Sequence, residues 1–332
     1  MGGYREPGDA TVMRRSPAPA YQPPTSAAMK AGQDDPRALR LLLSQRRLYS
    51  RAKRWSFLRW IGFSLIGVAA PVLTLVVPDA AVVVGAVAGV WIFLSRTVFS
   101  SFEQDRAAKA ADIQEQFDQF VFKMPVHVTR VPSASMEEIA QLTGDEETVL
   151  ADADEEDLKR WYPFDDRVDG AISIAIAQRA NAAYSERLLS ANATVWLVVT
   201  LLWSVAAVIV SLIVSLTLSQ FLLGVALPLL PALLDVWEQF RSTKRAGETR
   251  RAMADDIEKA IRGLDDTALA AEDLLIWQDQ TYQLRRSSPQ VPNLVYKRAR
   301  ARNEHAMNTA AAELAIVALD RSGNHDAQTG GH

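Results

Sequence analysis

Two long stretches of the chain are nearly free of charge, while the rest is dense with it. Residues 60–95 hold one charged side chain, Asp79, and residues 188–234 hold none. A helix rises about 1.5 Å per residue and needs roughly 20 residues to cross the hydrocarbon of a bilayer. Each stretch is therefore too long for one span and fits two. The pattern predicts a first hairpin of Trp60–Val77 and Ala80–Val98 around a Pro78-Asp79 turn. Pro71 should kink its outgoing helix, and Arg96 should snorkel at the end of the return. A second hairpin is predicted from Ala193–Ser215 and Phe221–Val236, joined by the uncharged residues 216–220 and made irregular by Pro228 and Pro231. A pair of buried helical hairpins in a soluble protein is the alternative, and the matching basic flanks of both stretches weigh against it.

Those flanks set an orientation. Residues 37–59 carry eight Arg and Lys side chains and no acid, and Arg241, Lys244, Arg245, Arg250 and Arg251 follow the last span, whereas neither hairpin turn has a basic residue. Basic residues stay on the cytoplasmic side, which puts both termini and the middle segment of a multi-pass protein there. Residues 1–36 include the run Ser16-Pro-Ala-Pro-Ala-Tyr-Gln-Pro-Pro24 and lack the apolar core of a signal peptide, so they read as a disordered leader. The expected fold is a mainly α integral membrane protein with four transmembrane helices in two hairpins and a composite helical cytoplasmic domain. Its divisions are the leader 1–36, a basic helix with the first hairpin (37–98) and a cytoplasmic segment (99–192). The second hairpin (193–236), further cytoplasmic helices (237–320) and a disordered tail (321–332) follow.

Composition alone hides this. The 332 residues are 49% hydrophobic and 23% charged, with a net charge of −3, which passes for an ordinary soluble protein. The charges are polarised, however: residues 96–187 carry 10 basic and 19 acidic side chains, across the first hairpin from the basic helix. Opposite signs favour docking of that helix on the middle segment, and anionic lipid is its other natural partner. Within the middle segment, Ile113, Phe117 and Phe120 mark one face of a helix, and Phe120–Val128 reads as a short extended stretch. Ser135 to Glu138 forms a capping box, and the acidic run Asp152–Asp157 reads as a solvated linker rather than a Ca²⁺ loop. Further helices are predicted from Asp166 into the third span, over Arg241–Gly263 and Thr267–Arg286, and over Tyr296–Leu319.

The search for catalytic chemistry is negative. No cysteine is present, and the four histidines, His127, His305, His325 and His332, have no metal-ligand spacing. Phosphate-binding glycine loops and nucleophile elbows are also missing, so neither an enzyme, a metal site nor a cofactor is expected. Small residues form two stripes, Ala81, Gly85 and Gly89 in the second span, and Ala207, Ser211, Ser215 and Ser219 in and after the third. Such stripes serve close helix packing first and self-assembly or a pore lining second, with the serines the better pore candidates. Asp235 reads as an interfacial anchor at the end of the fourth span. Two polar-aromatic clusters stand out: Trp161 and Tyr162 with Gln178, Arg179 and Asn181, and Gln278, Asp279 and Tyr282 with Arg285 and Arg286. Arginine holds phosphate, rings stack on bases and amides read base edges, although the same residues also staple helices together, which is the commoner use. No DNA or RNA partner is expected.

Several stretches together resemble the SMODS-associating four-transmembrane effector domain family of bacterial conflict systems. They are Gln45-Arg-Arg-Leu-Tyr-Ser-Arg-Ala-Lys53, Ile113-Gln-Glu-Gln-Phe-Asp118, Trp161-Tyr-Pro163 and Gln178-Arg-Ala-Asn181. Trp277-Gln-Asp279 with Arg285, and Val291-Pro292 with Tyr296, Arg300 and Glu304, follow. Order and placement agree over roughly residues 40–318. Ala177 departs from the pattern, since the family commonly has a cysteine before the Gln-Arg pair. The resemblance implies a homo-oligomeric, pore-forming or membrane-perturbing effector of the inner membrane, acting in antiviral defence. It also implies a cyclic or linear nucleotide ligand made by an associated nucleotidyltransferase. A non-conducting membrane-anchored scaffold that recruits a cytoplasmic partner is the rival reading.

Overall fold

The computed structural model describes residues 20–77, 79, 81–126, 134–263 and 269–329, and among these no strand occurs. The chain is mainly helical. Helix α1 (Ser26–Gly32) leads into α2 (Pro36–Val76), whose start is set by the Asp35 side chain accepting the Arg37 amide and by Pro36 in the first turn. Helix α2 runs unbroken for 41 residues, through position 71. Helix α3 (Ala81–Leu94) passes through one π-helical turn, Ser95–Phe99, into α4 (Ser100–Phe122). The wide turn takes up an extra residue without ending the rod, so Val82–Phe122 reads as a single 41-residue helix. It stops at Lys123, in the left-handed region with φ of 55°.

Two short helices follow, α5 (Met136–Thr143), capped by Ser135, and α6 (Glu146–Glu155), capped by Asp145. The 44-residue α7 (Gly170–Ile213) is capped by Asp169. A Thr217–Gln220 capping box opens α8 (Leu218–Phe221), a second π turn covers Leu222–Ala226, and α9 (Leu227–Arg262) continues with Pro231 inside it and Gly263 as its left-handed cap. Helices α10 (Ala271–Ser287) and α11 (Asn293–Thr329) complete the fold. Helix α7 packs along α9, α2 along α4, and α10 against both α4 and α7. The core under the apolar segments is built from Leu39, Leu42, Ile113, Phe117, Ile174 and Ile257.

Val82–Phe122 and Gly170–Ile213 are each long and apolar enough to cross a membrane, and Leu218–Ala226 with Leu229–Arg262, bent by 58°, makes a third candidate if taken as one span. Their apolar parts are open: Val82 is 82% exposed, Leu212 73% and Leu223 70%. Exposed apolar surface of that extent marks a membrane or protein contact rather than a face for water.

Four expectations are corrected. Residues 20–36 are not a disordered leader. Met29 is fully buried, the Ser26 hydroxyl donates to the Val168 carbonyl at 2.5 Å, and Tyr21 donates to the Phe122 carbonyl at 2.7 Å. The expected extended stretch from Phe120 is helical through Phe122, because Val121 and Phe122 are buried on the α4 face. The acidic linker is helix α6 as far as Glu155, and its charges are taken up by the basic helix: Arg47 pairs with Asp152, and Arg46 with Glu156 at 2.9 Å. The tail expected to be disordered from 321 is helical through Thr329. Pro78 of the first turn and His127 lie outside the described residues.

Candidate functional site

A cavity of about 610 Å³ opens where α2, the loop after α6, α7, α9 and the α10–α11 junction meet. Gln45, Tyr49 and Lys53 line it from α2, and their four-residue spacing puts them on one face. The loop gives Arg160, Trp161 and Tyr162, α7 gives Asn181 and Tyr184, α9 gives Arg250, and the α10–α11 region gives Arg285, Tyr296 and Arg300. Basic side chains outnumber acidic ones in the wall, where Asp157 and Glu304 are both engaged by Arg300, at 3.0 Å and 2.6 Å.

The loop is held from behind. Gln33 brackets the Tyr162 backbone, accepting from its amide and donating to its carbonyl, and Asp34 accepts the Arg160 amide at 2.8 Å. Asp157 and Arg160 take up the left-handed region, with φ of 55° and 54°, which turns the loop toward the cavity. The Tyr162 ring lies against Phe117 and Phe122, with centroids 6.0 Å and 5.4 Å away.

Under the cavity is a buried polar network centred on Asp118. Its carboxylate accepts from the Tyr162 hydroxyl at 2.7 Å, from Gln278 at 2.9 Å and from Arg285 at 2.6 Å. Gln278 also donates to Glu115 at 2.7 Å, and Gln178 donates to Gln278 at 3.1 Å and to the Leu274 carbonyl at 2.9 Å. Burial alone would weaken the Arg285 charge, and the carboxylate of Asp118 beside it, with Tyr162 and Glu115, holds its pKa above the ordinary value. Burial and the same Asp118 charge push the Tyr162 phenol up. In the wall, burial and the neighbouring Arg46 bring Lys53 down to about 8, and burial brings Arg250 down to about 10.

The comparisons with known proteins bear on this arrangement. The SMODS-associating 4TM effector domain matches residues 28–314. The chain belongs to this family. No curated protein and no solved structure matches it. The stretches that carry the family resemblance surround the cavity: residues 45–53 and 291–304 contribute to its wall, 161–163 to its rim, and Asp118 and Gln278 to its floor.

Within this effector-domain chain the sequence-predicted site residues divide. Trp161, Tyr162, Asn181 and Arg285 meet at the cavity. Gln178 and Gln278 lie beneath it in the floor network. Arg179 is held by Glu258 at 2.8 Å and is not part of the wall, and Asp279 is not part of it either. Sequence reasoning missed Arg250, because it sits in a basic run that reads only as a cytoplasmic flank, and left Tyr49, Lys53 and Tyr296 without a role. The four-residue step from Gln45 through Tyr49 to Lys53 was the available signal.

The small-residue stripes behave differently from one another. At Gly85 and Gly89 an added Cβ meets nothing within 4 Å, so neither lies at a close helix contact within this chain. The tight contacts are at Gly62, against the Trp91 ring, and Gly67, against Trp203. The Ser211 hydroxyl donates to the Ala207 carbonyl of its own helix at 2.7 Å, and Ser215 adopts φ of 55° just beyond the helix end. Among the described residues no group of three or more potential metal ligands occurs.

Proposed function

We propose that the chain is a non-catalytic, multi-pass effector of the bacterial inner membrane. Its cytoplasmic cavity takes a nucleotide second messenger, and its four apolar spans, arranged as two hairpins with both termini inside, then breach the bilayer as an oligomer. The observation that carries this reading is the cavity itself. Its volume of about 610 Å³ falls within the range of about 300–1,000 Å³ usual for small-molecule sites. Its wall combines guanidinium groups for phosphate, rings for stacking and side-chain amides for base edges.

The same helices supply a route from cavity to membrane. Asn181 and Tyr184 are on α7, which continues to Ile213 through the third apolar segment, and Asp118 is on α4, continuous with α3. A ligand that binds one arrangement of these rods more tightly than another shifts their apolar ends along with the cavity. At the membrane boundary Arg96, in the π turn, is ion-paired with Asp235 of α9, so movement of either rod is felt by the other.

The test is induced expression with a membrane-potential dye, with and without a co-expressed nucleotidyltransferase that makes a nucleotide second messenger. Growth arrest accompanied by loss of potential supports the pore. Growth arrest at unchanged potential overturns it and favours the scaffold. Because the native chain has no cysteine, single cysteines introduced at Gly32 and Gln220 report topology directly. Labelling of Gly32→Cys from the cytoplasm and of Gln220→Cys from the periplasm is the expected result.

A further inference from the structure

Arg250 lines the cavity from α9 and is only 6% exposed. Among the described residues its hydrogen bonds go to neutral oxygens alone: the Ser288 hydroxyl at 2.6 Å, the Leu284 carbonyl at 2.9 Å and the Ala246 carbonyl of its own helix at 3.4 Å. A buried guanidinium without a counter-charge is costly, and these bonds leave one Nη2 hydrogen and the Nε hydrogen of Arg250 to serve phosphoryl oxygens. Arg285, 7% exposed, lines the same cavity. Its Nη1 is committed to Asp118, but its Nε is buried without a hydrogen-bond partner. Both cations act electrostatically on Tyr49, and they act on each other as like charges. One turn along α2 from Tyr49, the Lys53 ammonium sits 5.1 Å from the Tyr296 ring, and among the described residues no carboxylate pairs with it.

We propose that Arg250 and the Nε edge of Arg285, beside Tyr49, with Lys53 one helical turn further along the same wall, form a built seat for one phosphoryl group of the cavity's ligand. The proposal rests on the reading of the cavity as a nucleotide site and adds where the phosphate goes. An anion there supplies the counter-charge Arg250 lacks, gives Arg285 Nε an acceptor and separates two guanidinium groups that repel. The rings of Trp161 and Tyr296 remain for the rest of the ligand.

The experiment uses the full chain in phosphatidylcholine nanodiscs, titrated calorimetrically with pyrophosphate and, separately, with a panel of cyclic dinucleotides. Wild type is expected to bind pyrophosphate, and Arg250→Gln and Lys53→Gln should each weaken it about tenfold, the loss of one charged hydrogen bond. Unchanged affinity in both variants, or no pyrophosphate binding by wild type, overturns the seat. Should Arg250→Gln melt early, Lys53→Gln decides alone, since that position is partly exposed. A cyclic dinucleotide that binds wild type and both variants equally overturns the seat and leaves the nucleotide reading standing. Pyrophosphate binding that both substitutions weaken, with no dinucleotide bound, supports the seat and overturns a cyclic dinucleotide as the ligand. Discs containing phosphatidylglycerol separate a soluble ligand from a lipid headgroup: unchanged pyrophosphate affinity supports the proposal, and competition by the lipid overturns it.

Discussion

Gln33 and Tyr162 pair as two backbone segments would. The Gln33 side-chain oxygen accepts the Tyr162 amide at 2.8 Å, and its nitrogen donates to the Tyr162 carbonyl at 3.2 Å. Gln33 is 1% exposed and Tyr162 5%, so no water is at hand to replace either bond. With Asp34, which accepts the Arg160 amide, Gln33 thus holds the loop that carries Trp161 and Tyr162 to the cavity rim.

Gln33→Ala therefore strands two buried backbone groups. Each costs about 1–3 kcal/mol, which places this substitution among the more damaging ones outside the apolar core. Gln33→Glu keeps the acceptor but sets a charged second oxygen against the buried Tyr162 carbonyl, so it should be at least as damaging as alanine. Thermal unfolding of the purified chain orders the three proteins. Equal stability of wild type and Gln33→Ala would show that the pairing carries no weight.

Asp118→Asn tests the floor. Arg285, at 7% side-chain exposure, would lose its counter-charge within a network that also holds Tyr162 and Gln278. Breaking a buried pair from one side costs about 3–5 kcal/mol, whereas replacing both partners by apolar residues of similar size is far milder. The double variant Asp118→Leu, Arg285→Met should accordingly melt closer to wild type than Asp118→Leu alone, which strands Arg285 as well as the Tyr162 hydroxyl. Additive losses in the cycle would mean that the two groups act independently.

These contacts explain what a sequence can and cannot show here. The uncharged stretches and the cap at Ser135 are local signals, and helices are present there, the one expected from Asp166 starting at Gly170. Trp161, Tyr162, Asn181 and Arg285 stand out by residue type, and folding brings them to one cavity. Arg179, one residue from Gln178, stands out by the same criterion and faces Glu258 instead, because consecutive positions on a helix point about 100° apart. The burial of Ser26 and Gln33 depends on partners more than a hundred residues away, and no window of sequence contains both members of such a pair. Arg250 is hidden for another reason. A basic residue that faces a cavity and one that faces anionic lipid look the same in a flank of five.

Lys53 gives the site a pH dependence. Burial, and then the Arg46 charge on the same helix, lower its ammonium from 10.5 to about 8. The other groups around it are the Tyr296 ring and Arg300 of α11, Tyr49, raised to about 12 by burial, and Arg250 of α9, lowered to about 10 by burial. Between about pH 8 and about pH 10.5 the unfolded chain holds this proton and the folded one has released it, so the contribution to stability rises with pH across that window. Anion affinity runs the other way, because a bound phosphoryl group favours the ammonium. Pyrophosphate gains charge of its own over this range, so the two proteins are compared: the ratio of affinity at about pH 9 to that at about pH 7 should be lower in wild type than in Lys53→Gln. The same ratio in both proteins would remove Lys53 from the anion's contacts.

The last prediction separates two kinds of glycine in the apolar region. Gly62 is pressed against Trp91 and Gly67 against Trp203, where any Cβ would overlap a ring, so leucine at either position overpacks an internal helix contact. The cost is about 1–3 kcal/mol, read as a lower melting temperature and a smaller folded fraction after extraction. Gly85 and Gly89 face open space on α3, among the exposed Val82, Val83 and Val90. Leucine there adds apolar surface to a surface already apolar and should leave the melting of a single chain unchanged. What it should change is assembly, because small residues four apart let a second helix approach closely, and one branched side chain abolishes that approach. Gly85→Leu and Gly89→Leu are expected to keep wild-type melting while shifting the detergent-solubilised protein toward monomer in light scattering. A wild-type oligomer in both variants would assign this face to lipid, and a drop in melting temperature would return the stripe to packing inside one chain.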